Sequence, residues 1–242
     1  MAIGSCSGPF GLSKFDLQVE LFLNPFVNRF HAFDWVMLRS DGYLKGVVIM
    51  LLAWYALFEP HGEGRFRQRS ELLLGSTLLS MAAIVAARGL AILLPFRVRP
   101  IGSPALDFHL PTGASLRMLG WSSFPSDHAV LFFTIATGIF FVSRPLGGLA
   151  LAWVASVICF PRLYLGLHWP TDILAGAALG VSIAQIAGIP AFREWVRQVT
   201  SRWHRDQPGL FFASLFLLSY EISTLFDNVR HFLFVLWRSM TG

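Results

Sequence analysis

Three short polar segments of the chain carry the residue types that phosphoryl transfer requires. Each lies beside an apolar run, and they occupy residues 97–100 (RVRP), 125–128 (PSDH) and 162–172 (RLYLGLHWPTD). The guanidinium groups of Arg99 and Arg162 can bind phosphoryl oxygens through paired, charge-assisted hydrogen bonds. The imidazoles of His128 and His168 can act as nucleophile, general acid or general base near neutral pH. The combination predicts a site at which a phosphoryl group is transferred or hydrolysed.

Ser126 stands immediately before a long apolar run, which is where the N-cap of a helix is expected. The backbone N–H groups of Asp127 and His128 would then lie in the first turn, where they have no partner within the helix. Free N–H groups at a helix N-terminus bind anions. We therefore expect Ser126, Asp127 and His128 to form one half of a phosphate-binding cradle.

Pro170 suits the first position of another helix, so His168 should lie just outside that helix and Asp172 in its first turn. From there the Asp172 carboxylate can reach back to one ring nitrogen of His168. An imidazole held in this way presents its other nitrogen as a lone pair, the arrangement of an activated nucleophile. His128, from the other helix, remains available as an acid.

The segments resemble the signature of the type-2 phosphatidic acid phosphatase family. That signature has a Lys and an Arg-Pro pair, then Pro-Ser-x-His, then Ser-Arg followed by His and Asp. Residues 125–128 match the second part completely, and Arg162, His168 and Asp172 match the third. The matched region covers residues 88–172, and the sequence most resembles the bacterial undecaprenyl-diphosphate phosphatase branch.

The resemblance implies a role for each matched residue. His168 would attack phosphorus, Asp172 would orient it and balance its charge, and His128 would protonate the leaving group and later activate water. The residues implied in holding the phosphoryl oxygens are Arg99, Arg162 and Ser126, with the Asp127 backbone. The family requires no metal or other cofactor, and these segments hold no cluster of carboxylates suited to magnesium.

The chain departs from the signature at two positions. Pro161 replaces the leading Ser of the third part, and Ile92 replaces the Lys expected seven residues before the Arg of the first. Three arginines can supply the missing cation: Arg97, Arg117 and Arg88. Arg97 is the preferred candidate, because side chains two residues apart on an extended segment leave it on the same side, here Arg97 and Arg99. Arg88 would lie one helical turn deeper than Ile92, about 6 Å at 1.5 Å per residue.

The composition predicts a membrane protein. Of the 242 residues, 55% are hydrophobic and 14% are charged, and the mean hydropathy is +0.59. The net charge of +5 comes from arginines beside apolar runs, which favours anchoring at lipid headgroups over binding of nucleic acid. We expect an all-α, polytopic bundle of five or six transmembrane helices.

Five apolar runs approach the length of about 20 residues that crosses a bilayer. They cover residues 43–58, 72–94, 126–142, 146–160 and 171–191, and residues 210–226 form either a sixth span or a surface helix. Gly176 and Gly180 favour close packing of the fifth span against a neighbour. The chain thus divides into an N-terminal segment with an interfacial amphipathic helix, a phosphatase core, and a basic linker with a C-terminal helix, at residues 1–42, 43–192 and 193–242.

The arginines outside the spans predict the orientation. The segments at 59–70, 143–145 and 193–205 carry arginine and fall on one face, which the positive-inside rule makes cytoplasmic. The segments at 95–125 and 161–170 then share the opposite face. We expect an integral plasma membrane protein, of the bacterial inner membrane, with its active site on the extracytoplasmic side.

Hydrolysis of a lipid phosphate or diphosphate is the predicted function, with undecaprenyl diphosphate as the leading substrate. Phosphatidic acid, phosphatidylglycerol phosphate and lipid A remain open as substrates. The same histidine chemistry can also pass the phosphoryl group to an alcohol, as in a lipid phosphotransferase. A membrane transporter would explain the spans but not the three polar segments together.

Overall fold

The computed structural model describes residues 13–40, 44–58, 63–104, 106–113 and 120–226. All regular structure within these ranges is helical. The α-helices are α1 Lys14–Leu23, α2 His31–Ser40, α3 Leu44–Phe58, α4 Glu63–Leu93, α5 Asp127–Val142, α6 Arg144–Trp153, α7 Phe160–Tyr164, α8 Pro170–Ala184, α9 Pro190–Asp206 and α10 Pro208–Ser223. A π-helical segment, Val154–Cys159, joins α6 to α7 without a break.

Six helical segments of the described chain are apolar enough to lie in a membrane. Three of them, Gln68–Leu93, Arg144–Tyr164 and Pro170–Gly188, are also long enough to cross it. The shorter three are Gly46–Phe58, Asp127–Val142 and Pro208–Ser223. Their positions match the predicted spans, so the all-helical membrane architecture is confirmed, while the number of crossings stays a prediction.

Helix α5 is the centre of the bundle and packs against α3, α4, α6 and α8. Its contact with α8 is close because of two glycines. A Cβ atom at Gly180 would lie 2.5 Å from the Val130 carbonyl oxygen, and one at Gly176 would lie 2.8 Å from that of Ser126. The predicted packing role of these glycines is therefore confirmed, and the contact fixes the start of α8 beside the start of α5.

The N-terminal segment differs from the single amphipathic interfacial helix predicted from the sequence. Pro25 lies in a 3-10 turn, Asn24–Phe26, which separates α1 from α2. The carboxylates of Asp16, Glu20 and Asp34 are buried in the protein. Large apolar residues of the segment are exposed, among them Phe15, Phe22, Phe30 and Trp35. The carboxylates therefore face the bundle, and large apolar side chains face outward.

The C-terminal segment contains α9, which carries the basic residues, and α10. Helix α10 packs against α3 and α9. The approach to α3 is close, because a Cβ atom at Gly46 would lie 2.5 Å from the Cα atom of Ser223. Residues 210–226 are thus a helix of the bundle, and whether they cross the membrane stays a prediction. The remainder of the predicted C-terminal segment, 227–242, and residues 1–12 of the N-terminal one lie outside the described residues.

Candidate active site

The polar segments meet at one end of the bundle. The Ser126 N–H donates to the Asp172 carbonyl over 3.2 Å, which joins the starts of α5 and α8. The Ser123 N–H donates to the Arg97 carbonyl over 2.9 Å, which joins the segment before α5 to the one after α4. The fold therefore brings together residues that are up to 75 positions apart in sequence.

The tautomer of His168 is set by a backbone carbonyl. Its Nδ1 atom lies 2.8 Å from the carbonyl oxygen of Ser123. A carbonyl can only accept a hydrogen bond, so Nδ1 carries the proton and Nε2 keeps its lone pair. Nε2 lies 3.4 Å from Nη1 of Arg99. The free nitrogen of His168 thus faces a cation that can hold a phosphoryl oxygen.

Burial lowers the pKa of His168 because it disfavours the imidazolium, and the side chain is only 6% exposed. The nearby Asp172 carboxylate acts in the opposite direction and raises the pKa, whereas the positive charges of Arg99 and Arg162 lower it further. The net shift is downward. His168 is therefore neutral at neutral pH, which is the form that can attack phosphorus.

Asp172 orients His168 less directly than expected. Its Oδ2 atom is 3.7 Å from His168 Nδ1, beyond hydrogen-bond distance. The same oxygen accepts the Trp169 N–H over 2.8 Å, and Oδ1 pairs with Arg97. The structure therefore shows no direct hydrogen bond between Asp172 and His168, contrary to the prediction from the sequence. Asp172 fixes the backbone next to His168 and supplies a negative charge near its ring.

His128 and Arg162 contact each other at the same end of the bundle. Nη2 of Arg162 is hydrogen-bonded to Nε2 of His128, and both side chains are buried. A guanidinium can only donate, so Nε2 of His128 accepts this bond. The ring proton of neutral His128 therefore lies on Nδ1. The role of His128 as a proton donor to the leaving oxygen stays a prediction.

Ser126 is the N-cap of α5, as expected, but its hydroxyl does not cap the helix. Its Oγ atom is buried and has no hydrogen-bond partner among the described residues. A buried hydroxyl without a partner is unfavourable unless a ligand completes it. Arg99 is also buried, with its Nε donating to the Trp121 carbonyl over 3.3 Å and Nη1 donating to that of Leu167. Binding of phosphoryl oxygens by Ser126 and Arg99 stays a prediction.

Arg97 does not occupy the place expected of a second phosphate fork. Nη1 pairs with Asp172 and donates to Thr171 Oγ1 over 2.9 Å, and Nη2 donates to Asp16 over 2.7 Å. Both of its Nη atoms are thus occupied by side chains of the protein, whereas its Nε is buried without a hydrogen-bond partner among the described residues. Asp16 and Asp172 are buried carboxylates, and pairing with Arg97 offsets the cost of burying their charge. Binding of phosphate by Arg97 is therefore not supported by this arrangement.

Arg88 is the other described candidate for the missing cation. Its guanidinium pairs with the Asp127 carboxylate and lies 5.1 Å from the centre of the Trp121 ring. Asp127 thus contributes a side chain that holds Arg88, in addition to the expected backbone N–H. Ile92 is 83% exposed, and Arg117 lies outside the described residues.

Several residues of the site carry no signal in the sequence. Ser123 holds His168 through its carbonyl, and Asp16 and Thr171 form the surroundings of Arg97. A backbone carbonyl has no side-chain signature, and Asp16 is about 80 positions from its partner Arg97. In the part of the chain that the structure describes, no three His, Cys, Asp or Glu side chains are arranged to hold a metal ion.

A family model described as the PAP2 superfamily matches residues 71–194, just over half of the chain. The chain belongs to the PAP2 superfamily. The matched residues include α5, α7 and α8. They also include all of the histidines and arginines of the candidate site. PAP2 membership confirms the family resemblance found in the sequence.

Relatives in the PAP2 superfamily match shorter parts of the chain. An Escherichia coli protein named as an undecaprenyl-diphosphatase, YbjG, is 44% identical over 24% of this chain and 30% of its own length. The bacitracin transport permease protein BcrC of Bacillus licheniformis is 45% identical over 25% of this chain and 29% of its own. The chain thus spans less than a third of the length of these two relatives.

Longer matches are more distant. The lipid A 1-diphosphate synthase of Escherichia coli is 25% identical over 67% of this chain and 70% of its own length. The crystal structure of Aquifex aeolicus LpxE is 21% identical, with a TM-score of 0.49, over 71% of this chain and 93% of that one.

Proposed function

We propose that this PAP2 protein removes a phosphoryl group from a membrane lipid phosphate or diphosphate through a phosphohistidine at His168. The observation that carries the proposal is the hydrogen bond between His168 Nδ1 and the Ser123 carbonyl. It leaves the lone pair of Nε2 directed at the Arg99 guanidinium. A neutral imidazole beside an oxyanion-binding cation is the arrangement that attack on phosphorus needs.

The two steps of the reaction follow from the geometry. His168 Nε2 attacks phosphorus, the bond from phosphorus to the leaving oxygen breaks, and His128 gives that oxygen a proton. A water molecule then attacks the phosphohistidine, His128 takes its proton, and inorganic phosphate is released. Arg99, Arg162 and the Ser126 hydroxyl hold the phosphoryl oxygens in both steps.

Phosphoenzyme trapping tests the proposal. Purified protein mixed with a ³²P-labelled lipid diphosphate and quenched in base should retain label that acid removes, as expected for phosphohistidine. His168→Ala should retain none and release no phosphate. His204→Ala is the matched control, because His204 is exposed on α9, and it should behave as wild type. Trapping on His168→Ala, or its full activity, would refute the mechanism.

Undecaprenyl diphosphate is the proposed first substrate. The similarity to YbjG supports it, because that relative is named as an undecaprenyl-diphosphatase. The predicted extracytoplasmic position of the site is compatible with a diphosphate exposed on that face. A panel containing undecaprenyl diphosphate, phosphatidic acid, phosphatidylglycerol phosphate and lipid A, scored by phosphate released, distinguishes the candidates. Preference for any of the other three by more than about tenfold would overturn this choice.

Transfer to a lipid alcohol is the second candidate. The observation that favours it is the match to a protein named lipid A 1-diphosphate synthase, which covers two thirds of this chain. Transfer requires the same phosphohistidine, so only the fate of the phosphoryl group differs. Labelled donor incubated with and without lipid A should yield labelled inorganic phosphate in both cases if the protein is a hydrolase. Label in lipid A would indicate transfer.

Transport is the alternative outside enzymes, and the name of BcrC refers to it. A transporter has no need of a histidine with a fixed tautomer beside paired arginines. Release of phosphate by purified protein in detergent, where no compartments exist, separates the two functions.

A further inference from the structure

Helix α1 buries both of its carboxylates and exposes three large apolar residues. Asp16 and Glu20 are completely buried, whereas Phe15, Leu21 and Phe22 are at least half exposed. A helix that rests on a protein core normally does the reverse. Burial of a carboxylate is unfavourable unless it is paired and hydrogen-bonded. Asp16 has such partners in the body of the protein, whereas the carboxylate oxygens of Glu20 have no hydrogen-bond partner among the described residues. Asp16 therefore supplies the polar contacts that set the position of α1.

Asp16 finds those partners at the start of α8. Its Oδ1 atom accepts the backbone N–H of Thr171 over 2.9 Å, and Oδ2 accepts the Thr171 hydroxyl over 2.8 Å. The first N–H groups of a helix have no partner within the helix and carry partial positive charge. Asp16 thus caps α8 from a separate helix, about 155 residues away in sequence.

Arg97 connects Asp16 to the candidate catalytic site. One of its Nη atoms donates to Asp16 and the other pairs with Asp172. The guanidinium also lies 5.9 Å from the centre of the Trp169 ring. It is held between two carboxylates at fixed separation, a geometry that suits the rigid fork of arginine.

Asp172 is next to the nucleophile in space. It accepts the N–H of Trp169, the residue that follows His168 in the chain. A displacement of Asp172 therefore moves the backbone that carries His168, and it also removes a negative charge from beside the ring. A misplacement of about 1 Å at a reacting group can slow a reaction about a hundredfold.

We propose that Asp16 is a positioning residue, which acts through Arg97 to hold Asp172 and the start of α8 so that His168 is aligned for attack. The N-terminal helix is on this view a part of the active site. The inference rests on the proposed function, because it assigns Asp16 to the step in which His168 becomes phosphorylated. Asp16 contacts none of the groups assigned to phosphate, so its loss should act on turnover and leave substrate binding largely intact.

Kinetics of Asp16→Asn test the proposal, because asparagine keeps the shape of the side chain and loses its charge. We expect kcat to fall about tenfold or more, KM to change less than about threefold, and phosphohistidine to form more slowly in a single turnover. Asp16→Glu should recover part of the lost kcat. Lys14→Gln is the matched control on the exposed face of α1, and it should behave as wild type.

A double mutant identifies the route of the effect. If Asp16 acts through Arg97, the variant with both Asp16→Asn and Arg97→Gln should be no slower than Arg97→Gln alone. Multiplied losses would overturn that route, and wild-type kcat in folded Asp16→Asn would overturn the proposal. If Asp16→Asn does not fold, Arg97→Lys tests the proposal instead. Lysine keeps the positive charge but cannot bridge two carboxylates as the arginine fork does. It should lower kcat at unchanged KM, and wild-type kcat in that variant would refute the proposal.

Phosphate release by the wild-type protein distinguishes failure of this inference from failure of the proposed function. Absence of phosphate release by wild-type protein, across the substrate panel, would refute the proposed function itself. Release that depends on His168 but not on Asp16 would refute the inference alone.

Discussion

The ring of His168 is held by a backbone carbonyl, and its carboxylate neighbour works at a longer distance. A carbonyl remains an acceptor at every pH, so the Nδ1 proton stays in place while the Ser123 carbonyl is 2.8 Å away. The carboxylate of Asp172 is left free to pair with Arg97 and with the Trp169 N–H. The carbonyl of Ser123 thus orients the His168 ring, and Asp172 supplies the negative charge near it.

The acid limb of the kcat/KM profile should reflect the pKa of His168. Burial disfavours the imidazolium and Arg99 opposes it as well, so the pKa lies below the ordinary value of 6.5. The neutral nucleophile then persists as the pH falls through 6.5, and activity is lost only at lower pH. Arg99→Gln removes a cation that lowers this pKa, so its acid limb should move to higher pH as its overall rate falls. An acid limb in the wild type at or above about pH 6.5 would assign it to another group.

We expect Arg88 to supply the cation that the family signature provides as Lys, because Ile92 stands at that position in this chain. Its guanidinium pairs with Asp127 at the N-terminus of α5 and keeps 30% of its side chain exposed. Arg88→Ala should lower kcat/KM by about tenfold or more, or roughly 1.4 kcal/mol, and Arg88→Lys should lower it less.

The matched control for Arg88 is Arg193, whose pair with Glu71 is 2.9 Å long and whose side chain is 27% exposed. That pair joins α9 to the other end of α4, away from the site. Arg193→Ala removes an equivalent ion pair and should leave kcat/KM near the wild-type value. Equal losses in both variants would attribute the Arg88 effect to stability. A near-neutral Arg88→Ala would place the missing cation elsewhere.

At the scale of elements, α5 and α8 hold the site together through a close approach of their backbones. The carbonyl oxygen of Val130 lies 2.5 Å from the position that a Cβ atom of residue 180 would take. Both helices carry site residues in their first turns, Asp127 and His128 on α5 and Asp172 on α8. Any separation of the two helices therefore widens the site as well as the core.

Gly180→Ala should destabilise the protein by about 1–3 kcal/mol, the usual cost of an overpacked contact. The added Cβ would meet backbone at 2.5 Å, and backbone cannot move aside as a flexible side chain can. Thermal unfolding in detergent measures the effect as a lower Tm. Gly148→Ala in α6 is the matched control, since its Cβ would meet nothing within 4 Å, and it should be neutral or slightly stabilising. Equal Tm values for the two variants would contradict this account of the contact.

Helix α1 should become less stably docked as the pH rises. Burial and, as smaller causes, the nearby carboxylates of Asp16 and Asp172 together raise the pKa of Glu20 to about 8. Arg97 is the cation that faces those two aspartates. A raised pKa means that the contribution of Glu20 to stability is full below about pH 4.5 and is lost progressively as the pH rises to about 8.

Glu20→Gln measures that dependence. The difference in Tm between Glu20→Gln and the wild type should be small near pH 5, should grow in favour of the variant up to about pH 8, and should stay constant above it. A difference that does not change with pH would show that Glu20 remains ionised in the docked helix.

At the scale of the whole molecule, the candidate site lies at one end of a helical bundle and the basic segments lie away from it. The segments with arginine at 63–70, 143–145 and 193–205 are separated from the site by the lengths of α4, α5 and α8. The positive-inside rule then predicts that the site faces away from the cytoplasm. A substrate delivered on that face could reach His168 without crossing the membrane.

Single cysteines test this orientation. In a background without Cys6 and Cys159, cysteine at Asp107, on the site end, and at Gln207, after α9, would both be exposed. An impermeant thiol reagent added to intact cells should label only the cysteine at 107, and lysis should make both reactive. Labelling of 207 alone would invert the topology.

The sequence alone determined the apolar helices, the family and the residues of the three polar segments. Helix lengths follow from runs of apolar residues, the start of α5 from Ser126, and the start of α8 from Pro170, all of which are local signals. The grouping of His128 and His168 at one end followed from counting crossings between them.

Only the tertiary structure decided which groups pair within the site. Arg97 was expected at the phosphate and instead joins Asp16 to Asp172, while His168 bonds to the carbonyl of Ser123. Asp16 of α1 faces inward for the same reason, because buried Arg97 and the backbone N–H of Thr171 stabilise its carboxylate there. Such pairings join residues 45 to 155 positions apart, and each depends on the free energy of burying both partners together, which no local pattern of residues records.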